Sequence, residues 1–71
     1  MKKYKNLAGN SGVSYFEIGK DYIKIRFATG GVYTYSYQKA GKAHVENMKT
    51  LAVRGAGLST YISRNTSALY D

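Results

Sequence analysis

The chain has 71 residues, which is enough for one domain with a modest core. It has no cysteine and its apolar runs are short, which argues against disulfides, thiolate metal sites, a signal peptide and a membrane span. Eleven Lys and Arg against four Asp and Glu give a net charge of +7, so we expect a cytoplasmic protein with an anionic partner and no membrane association.

The composition of successive segments predicts one folded domain between two short tails. Residues 1–12 are rich in lysine, asparagine and glycine and have little periodicity, which is typical of a flexible basic tail. The folded domain is expected over residues 13–65, and residues 66–71 are expected to form a C-terminal tail. The sequence indicates no linker, internal repeat or second domain.

Three short segments have the alternation and the β-branched or aromatic composition of strands. They cover residues 13–18, 22–28 and 32–37. A glycine-containing turn separates the first two, so we expect an antiparallel meander. In the second strand Ile23, Ile25 and Phe27 share one face, and we assign that face to the core.

Residues 42–54 predict an amphipathic helix, because they lack glycine and proline and place apolar residues at helical spacing. Gly55 lies where a C-terminal cap is expected, and Leu58 and Ile62 indicate a final short helix or turn. The predicted fold class is therefore α+β, with an antiparallel β-meander of three or more strands packed against one α-helix and a short C-terminal helical turn. Exposed strand edges would also allow a homo-oligomer.

The direction of three tyrosines in the third strand depends on the length of the hairpin loop before it. A two-residue loop would place Tyr33, Tyr35 and Tyr37 beside Lys24 and Arg26, on an outer face suited to stacking bases and holding phosphates. A three-residue loop with a glycine bulge would turn the same rings towards the core beneath the helix. A third possibility is that some of these rings pack in the core while others show an edge at the surface.

The chemistry-bearing residues point to binding rather than catalysis. One histidine and four acids form no recognisable dyad or ligand set, so we predict no enzyme activity, no metal and no cofactor. The glycine-rich segment after the helix could hold a phosphate on free backbone amides, although a helix cap followed by a tight loop explains the same glycines. Candidates in and near this segment are Arg54, Gly55, Gly57, Ser59 and Arg64.

A set of residues at particular spacing extends from the hairpin to the end of the predicted domain. It consists of Phe27, Gly30 and Tyr33-Thr34-Tyr35, followed by the helix and Tyr61-Ile62. Over about residues 13–65 this pattern resembles the KTSC domain, a module named for the C-terminus of some lysyl-tRNA synthetases and also found as a stand-alone bacterial or phage-type protein. The resemblance implies a β-meander with one helix, and RNA binding through Tyr33 and Tyr35 without catalytic residues. The chain departs from the family just before the helix, where a proline is usual.

We therefore predict a non-enzymatic module that binds RNA or another nucleic acid through a basic, tyrosine-rich sheet face. One alternative is a binder for a nucleotide-type phosphorylated ligand, at the glycine segment or at an oligomer interface. Another is a protein-interaction or inhibitor module, because tyrosine and arginine are enriched at binding hot spots. The predicted ligand-binding residues are Lys24, Arg26, Tyr33, Tyr35, Tyr37, Arg54, Gly55, Gly57, Ser59 and Arg64.

Overall fold

A computed structural model describes residues 1–9 and 11–71; Asn10, part of the predicted N-terminal tail, lies outside the described residues. The elements in chain order are β1 (Lys2–Lys3), β2 (Val13–Ile18), β3 (Tyr22–Phe27), β4 (Val32–Ser36), α1 (Lys42–Arg54), α2 (Leu58–Tyr61) and a π-helical turn (Ile62–Thr66) that continues α2. The strands form one antiparallel sheet in the order β1-β2-β3-β4. The predicted α+β fold class is confirmed.

Helix α1 begins and ends where the sequence predicted. Gly55 follows its last residue with a φ of 83°, in the left-handed region, and donates its N–H to the carbonyl of Leu51. Glycine adopts this conformation at little cost because it has no Cβ, so the helix ends here with the carbonyl of Leu51, in its last turn, satisfied. The buried side of α1 consists of Val45, Met48 and Ala52.

The hairpin between β3 and β4 settles the direction of the tyrosines. Its loop has three residues, Ala28 to Gly30, and Gly30 has a φ of 101°. The register pairs Tyr35 with Ile23, so β4 presents its tyrosines on the core face. The two-residue alternative is wrong, because the positive φ of Gly30 accommodates the extra residue. The outcome is mixed, since Tyr35 is 2% exposed and Tyr33 is 37% exposed at the rim.

The core lies between the sheet and the helical segments. Alternate residues of β2, β3 and β4 supply one side, and the apolar stripes of the helices supply the other. The buried apolar residues are Tyr4, Val13, Phe16, Ile23, Ile25, Tyr35, Ala40, Val45, Met48, Ala52, Leu58 and Ile62. Phe27, predicted as core, is partly buried and packs against this cluster.

Both segments predicted as tails contribute buried side chains. Lys2–Lys3 adds β1 to the edge of the sheet, and Tyr4 is buried with its hydroxyl accepting a hydrogen bond from the backbone N–H of Leu58 at 3.3 Å. Near the other end, Thr66 is fully buried and donates its hydroxyl to Sδ of Met48 at 3.6 Å. These contacts join residues far apart in the chain, so local composition does not reveal them.

Three tyrosines favour their neutral form in the folded protein. Burial raises the pKa of Tyr35, and hydrogen bonds to Glu17 and Glu46 raise the pKa of Tyr22 and Tyr37 respectively. Because the folded pKa is the higher one, this stabilisation is complete below the unfolded value of about 10 and is lost as the pH rises through the folded values. We expect the free energy of unfolding, measured in urea, to fall above about pH 10. For Tyr35→Phe the free energy of unfolding should fall less steeply with pH. A fall as steep as that of the wild type would contradict the contribution of Tyr35.

Candidate nucleic-acid interface

The face of the sheet turned away from α1 is open and basic. The register places on it the side chains that alternate with the core residues of β2 and β3. Tyr15 lies opposite Arg26 on the neighbouring strand, and Glu17 lies opposite Lys24. We call this surface the platform, and its members are Lys3, Tyr15, Glu17, Tyr22, Lys24 and Arg26.

One end of the platform alternates cations with an aromatic ring. Lys3, Tyr15 and Arg26 lie side by side on β1, β2 and β3. The guanidinium carbon of Arg26 is 5.9 Å from the centroid of the Tyr15 ring, within the range of a cation–π contact. Tyr15 is half-buried and Arg26 is exposed. An aromatic ring flanked by cations on an open sheet is the arrangement that single-strand binders use to stack bases and hold phosphates.

The other end of the platform is organised around Tyr22. Its hydroxyl donates to Oε2 of Glu17 at 3.1 Å, and this hydrogen bond raises the pKa of Tyr22. Nζ of Lys24 is 5.9 Å from the centroid of the Tyr22 ring. The ring lies over Gly19, where a Cβ would approach Cε2 of Tyr22 to 2.0 Å. The glycine in the β2–β3 turn therefore makes room for this ring.

The cations of the platform have no acidic partner at ion-pair distance. In the part of the chain that the structure describes, the only ion pair within 4.0 Å joins Lys49 to Glu46 on α1. Among the described side chains, no carboxylate therefore forms an ion pair with Lys3, Lys24 or Arg26. Arg26 has the additional ability to hold a phosphate through two parallel hydrogen bonds.

The predicted tyrosines lie elsewhere. Tyr33 packs edge-on against Phe27 and Tyr70, with ring centroids 5.5 and 4.7 Å apart, at the rim of the core face. Tyr35 is buried beneath the helices. Tyr37 donates its hydroxyl to Glu46 and so joins the end of β4 to α1. None of these three shares a face with Lys24 and Arg26, because the hairpin register separates them.

The glycine segment after α1 packs against the N-terminal segment. Gly55, Gly57 and Ser59 line a cleft of about 200 Å³ together with residues near Tyr4. The backbone N–H of Leu58, which a phosphate could have used, donates to the hydroxyl of Tyr4 instead. The two glycines therefore serve the helix end and this packing. Arg54 and Arg64 are exposed in the helical layer, away from the platform.

Of the predicted site residues, the structure brings Lys24 and Arg26 together on the platform. Sequence reasoning missed Tyr15 and did not include Tyr22 in the site. Alternation within residues 13–18 separates Tyr15 from Phe16 and was the signal that could have found it. The pairing of Tyr15 with Arg26 continues the regular β2–β3 register, and the irregularity between Val13 and Tyr15 instead returns Val13 to the core face, which alternation alone does not disclose.

No family model, curated protein or solved structure with which the chain was compared matches it. Across residues 1–9 and 11–71, no three His, Asp or Glu side chains lie close enough together to hold a metal ion. None of the helices described above is long and apolar enough to cross a membrane.

Proposed function

We propose that this protein binds single-stranded nucleic acid, most favourably RNA, on the platform and without catalysis. The observation that carries the proposal is the row of Lys3, Tyr15 and Arg26 on an open sheet face, with no acidic side chain paired to either cation. Bases stack on aromatic side chains irrespective of sequence, and cations between the rings hold the phosphates. The resemblance to the KTSC domain implied the same class of ligand through Tyr33 and Tyr35; no family model matches the chain, and this proposal uses Tyr15 instead because it lies on the open sheet face.

The shape of the platform favours unpaired bases. An aromatic ring on an open sheet gives an unpaired base a surface to stack on, whereas bases inside a duplex are already stacked on one another. Each base stacked on an aromatic ring contributes about 1–3 kcal/mol when measured by alanine substitution. Phosphate contacts release counterions, so affinity should fall steeply with salt.

The test is a titration of short labelled single-stranded RNA and the matching duplex at several salt concentrations. We expect the single strand to bind more tightly, and we expect Tyr15→Ala to weaken its binding by about 5- to 150-fold. Arg26→Glu should weaken binding and flatten the salt dependence, because it removes a phosphate contact. Circular dichroism and urea unfolding of each variant establish that the fold is retained.

The matched control is Arg54→Glu, which makes the same change of charge in the helical layer. General attraction of a basic protein for a polyanion would be weakened equally by both charge reversals. Tight binding that depends on Arg26 and not on Arg54 places the ligand on the platform. Equal losses, or no binding of RNA even at low salt, would contradict the proposal.

A further inference from the structure

Two acidic side chains lie on the face of the sheet that carries the platform: Asp71 accepts a hydrogen bond from the Ser36 hydroxyl at the β4 edge, at 2.7 Å, and Glu17 lies among the cations of the platform itself. A carboxylate repels phosphates, so its presence there lowers the affinity for nucleic acid unless it makes a contact of its own. Glu17 does not form an ion pair with Lys24, although the two residues lie directly opposite each other on neighbouring strands. A charge pair that stabilises the sheet therefore does not account for this residue.

The carboxylate of Glu17 is held in a fixed position next to the Tyr22 ring. The Tyr22 hydroxyl donates to Oε2 at 3.1 Å, and the ring itself is seated over the backbone of Gly19. Within the described residues, Oε1 of Glu17 accepts no hydrogen bond from the protein. The platform thus presents a free acceptor at the edge of an aromatic ring on which a base can stack.

The bases differ in what they offer to such an acceptor. Guanine has two adjacent N–H donors on its Watson–Crick edge, which match the two oxygens of a carboxylate. Cytosine and adenine have a single exocyclic amine, and uracil has an N–H between two carbonyl oxygens that a carboxylate repels. We propose that Glu17 selects guanine at the position stacked on Tyr22. This inference rests on the proposed function of the platform.

The experiment compares labelled oligonucleotides of about eight nucleotides, one made of uridine alone and others with a single central guanosine, adenosine or cytidine. For the wild-type protein we expect the guanosine oligonucleotide to bind about tenfold more tightly than oligouridine, as a good two-bond base contact provides. Glu17→Gln should bring this ratio close to one while the affinity for oligouridine stays equal or rises, because a repulsive charge has been removed. Gly19→Ala should also lower the ratio, since the new methyl group displaces Tyr22.

The matched control is Asp21→Asn, which removes the same charge from the neighbouring turn and should leave the ratio unchanged. A tenfold preference that persists in Glu17→Gln, or a wild-type ratio close to one, overturns the role of Glu17. If binding in that second case still depends on Tyr15 and Arg26, the proposed function stands. If none of the oligonucleotides binds, the proposed function fails and this inference fails with it.

Discussion

Replacing Tyr35 by alanine is expected to lower the free energy of unfolding by about 3–5 kcal/mol, the usual cost of removing a large buried ring. Tyr35 is 2% exposed and lies opposite Ile23 on the core face of the sheet. A domain of this size has a total stability of roughly 4–11 kcal/mol. We therefore expect a large fraction of Tyr35→Ala to be unfolded at 37 °C, as measured by circular dichroism and urea titration.

Two variants separate burial of the ring from other effects. Tyr33→Ala removes the same side chain from the same strand, but Tyr33 is 37% exposed and has edge contacts with Phe27 and Tyr70. We expect it to cost about 1–2 kcal/mol, as the loss of such aromatic contacts does. Tyr35→Phe keeps the ring and should unfold near the wild-type urea concentration. A cost for Tyr35→Ala no larger than that for Tyr33→Ala would mean that β4 has the opposite register.

Replacing Gly55 by alanine should destabilise the protein for two reasons that add. The residue has a φ of 83°, where a side chain costs about 1–2 kcal/mol. A Cβ at this position would also come within 2.6 Å of the Cβ of Lys5, on the segment that packs across the end of α1. That segment is held partly by the hydrogen bond from the N–H of Leu7 to the carbonyl of Gly55, at 2.8 Å. We expect Gly55→Ala to lose this packing as well as helix-end stability.

Gly57→Ala provides the matched comparison for this prediction. Gly57 has the same φ of 83°, but its Cβ would meet Leu51 at 3.7 Å, an ordinary contact. We expect the free energy of unfolding of Gly55→Ala, measured in urea, to be lower than that of Gly57→Ala by about 1 kcal/mol or more. Trypsin should also cleave after Lys5 faster in Gly55→Ala alone. Equal stabilities and equal cleavage rates would show that the N-terminal segment does not depend on this contact.

Local signals in the sequence were sufficient to predict the three long strands and α1. Alternating apolar residues predicted the three long strands, and helical spacing ended by Gly55 predicted α1 to the residue. These signals act within a few residues, so one sequence displays them. Strand β1 has only two residues, Lys2–Lys3, which is too short for any periodicity, and it lies next to the buried Tyr4.

The candidate site was harder to predict because it depends on relations between strands. Alternation along β3 identified Lys24 and Arg26 as outward-facing, and the structure places both on the platform. Which aromatic ring accompanies them is decided by two registers. One, between β3 and β4, depends on the three-residue loop in which Gly30 has a positive φ, and the other, between β2 and β3, is set by the turn between Gly19 and Tyr22. Composition does not encode either of these backbone details, so the sequence could not choose between Tyr33 and Tyr15.

The hydrogen bond between Tyr4 and Leu58 also bears on how long the folded state lasts. It joins residues 54 positions apart, whereas the meander and α1 form between near neighbours in the chain. Closing so long a loop has a high entropic cost, so we expect this contact to form after the folding barrier has been crossed. Interactions absent from the transition state slow unfolding and leave the folding rate almost unchanged. The N-terminal segment therefore acts chiefly on the lifetime of the native state.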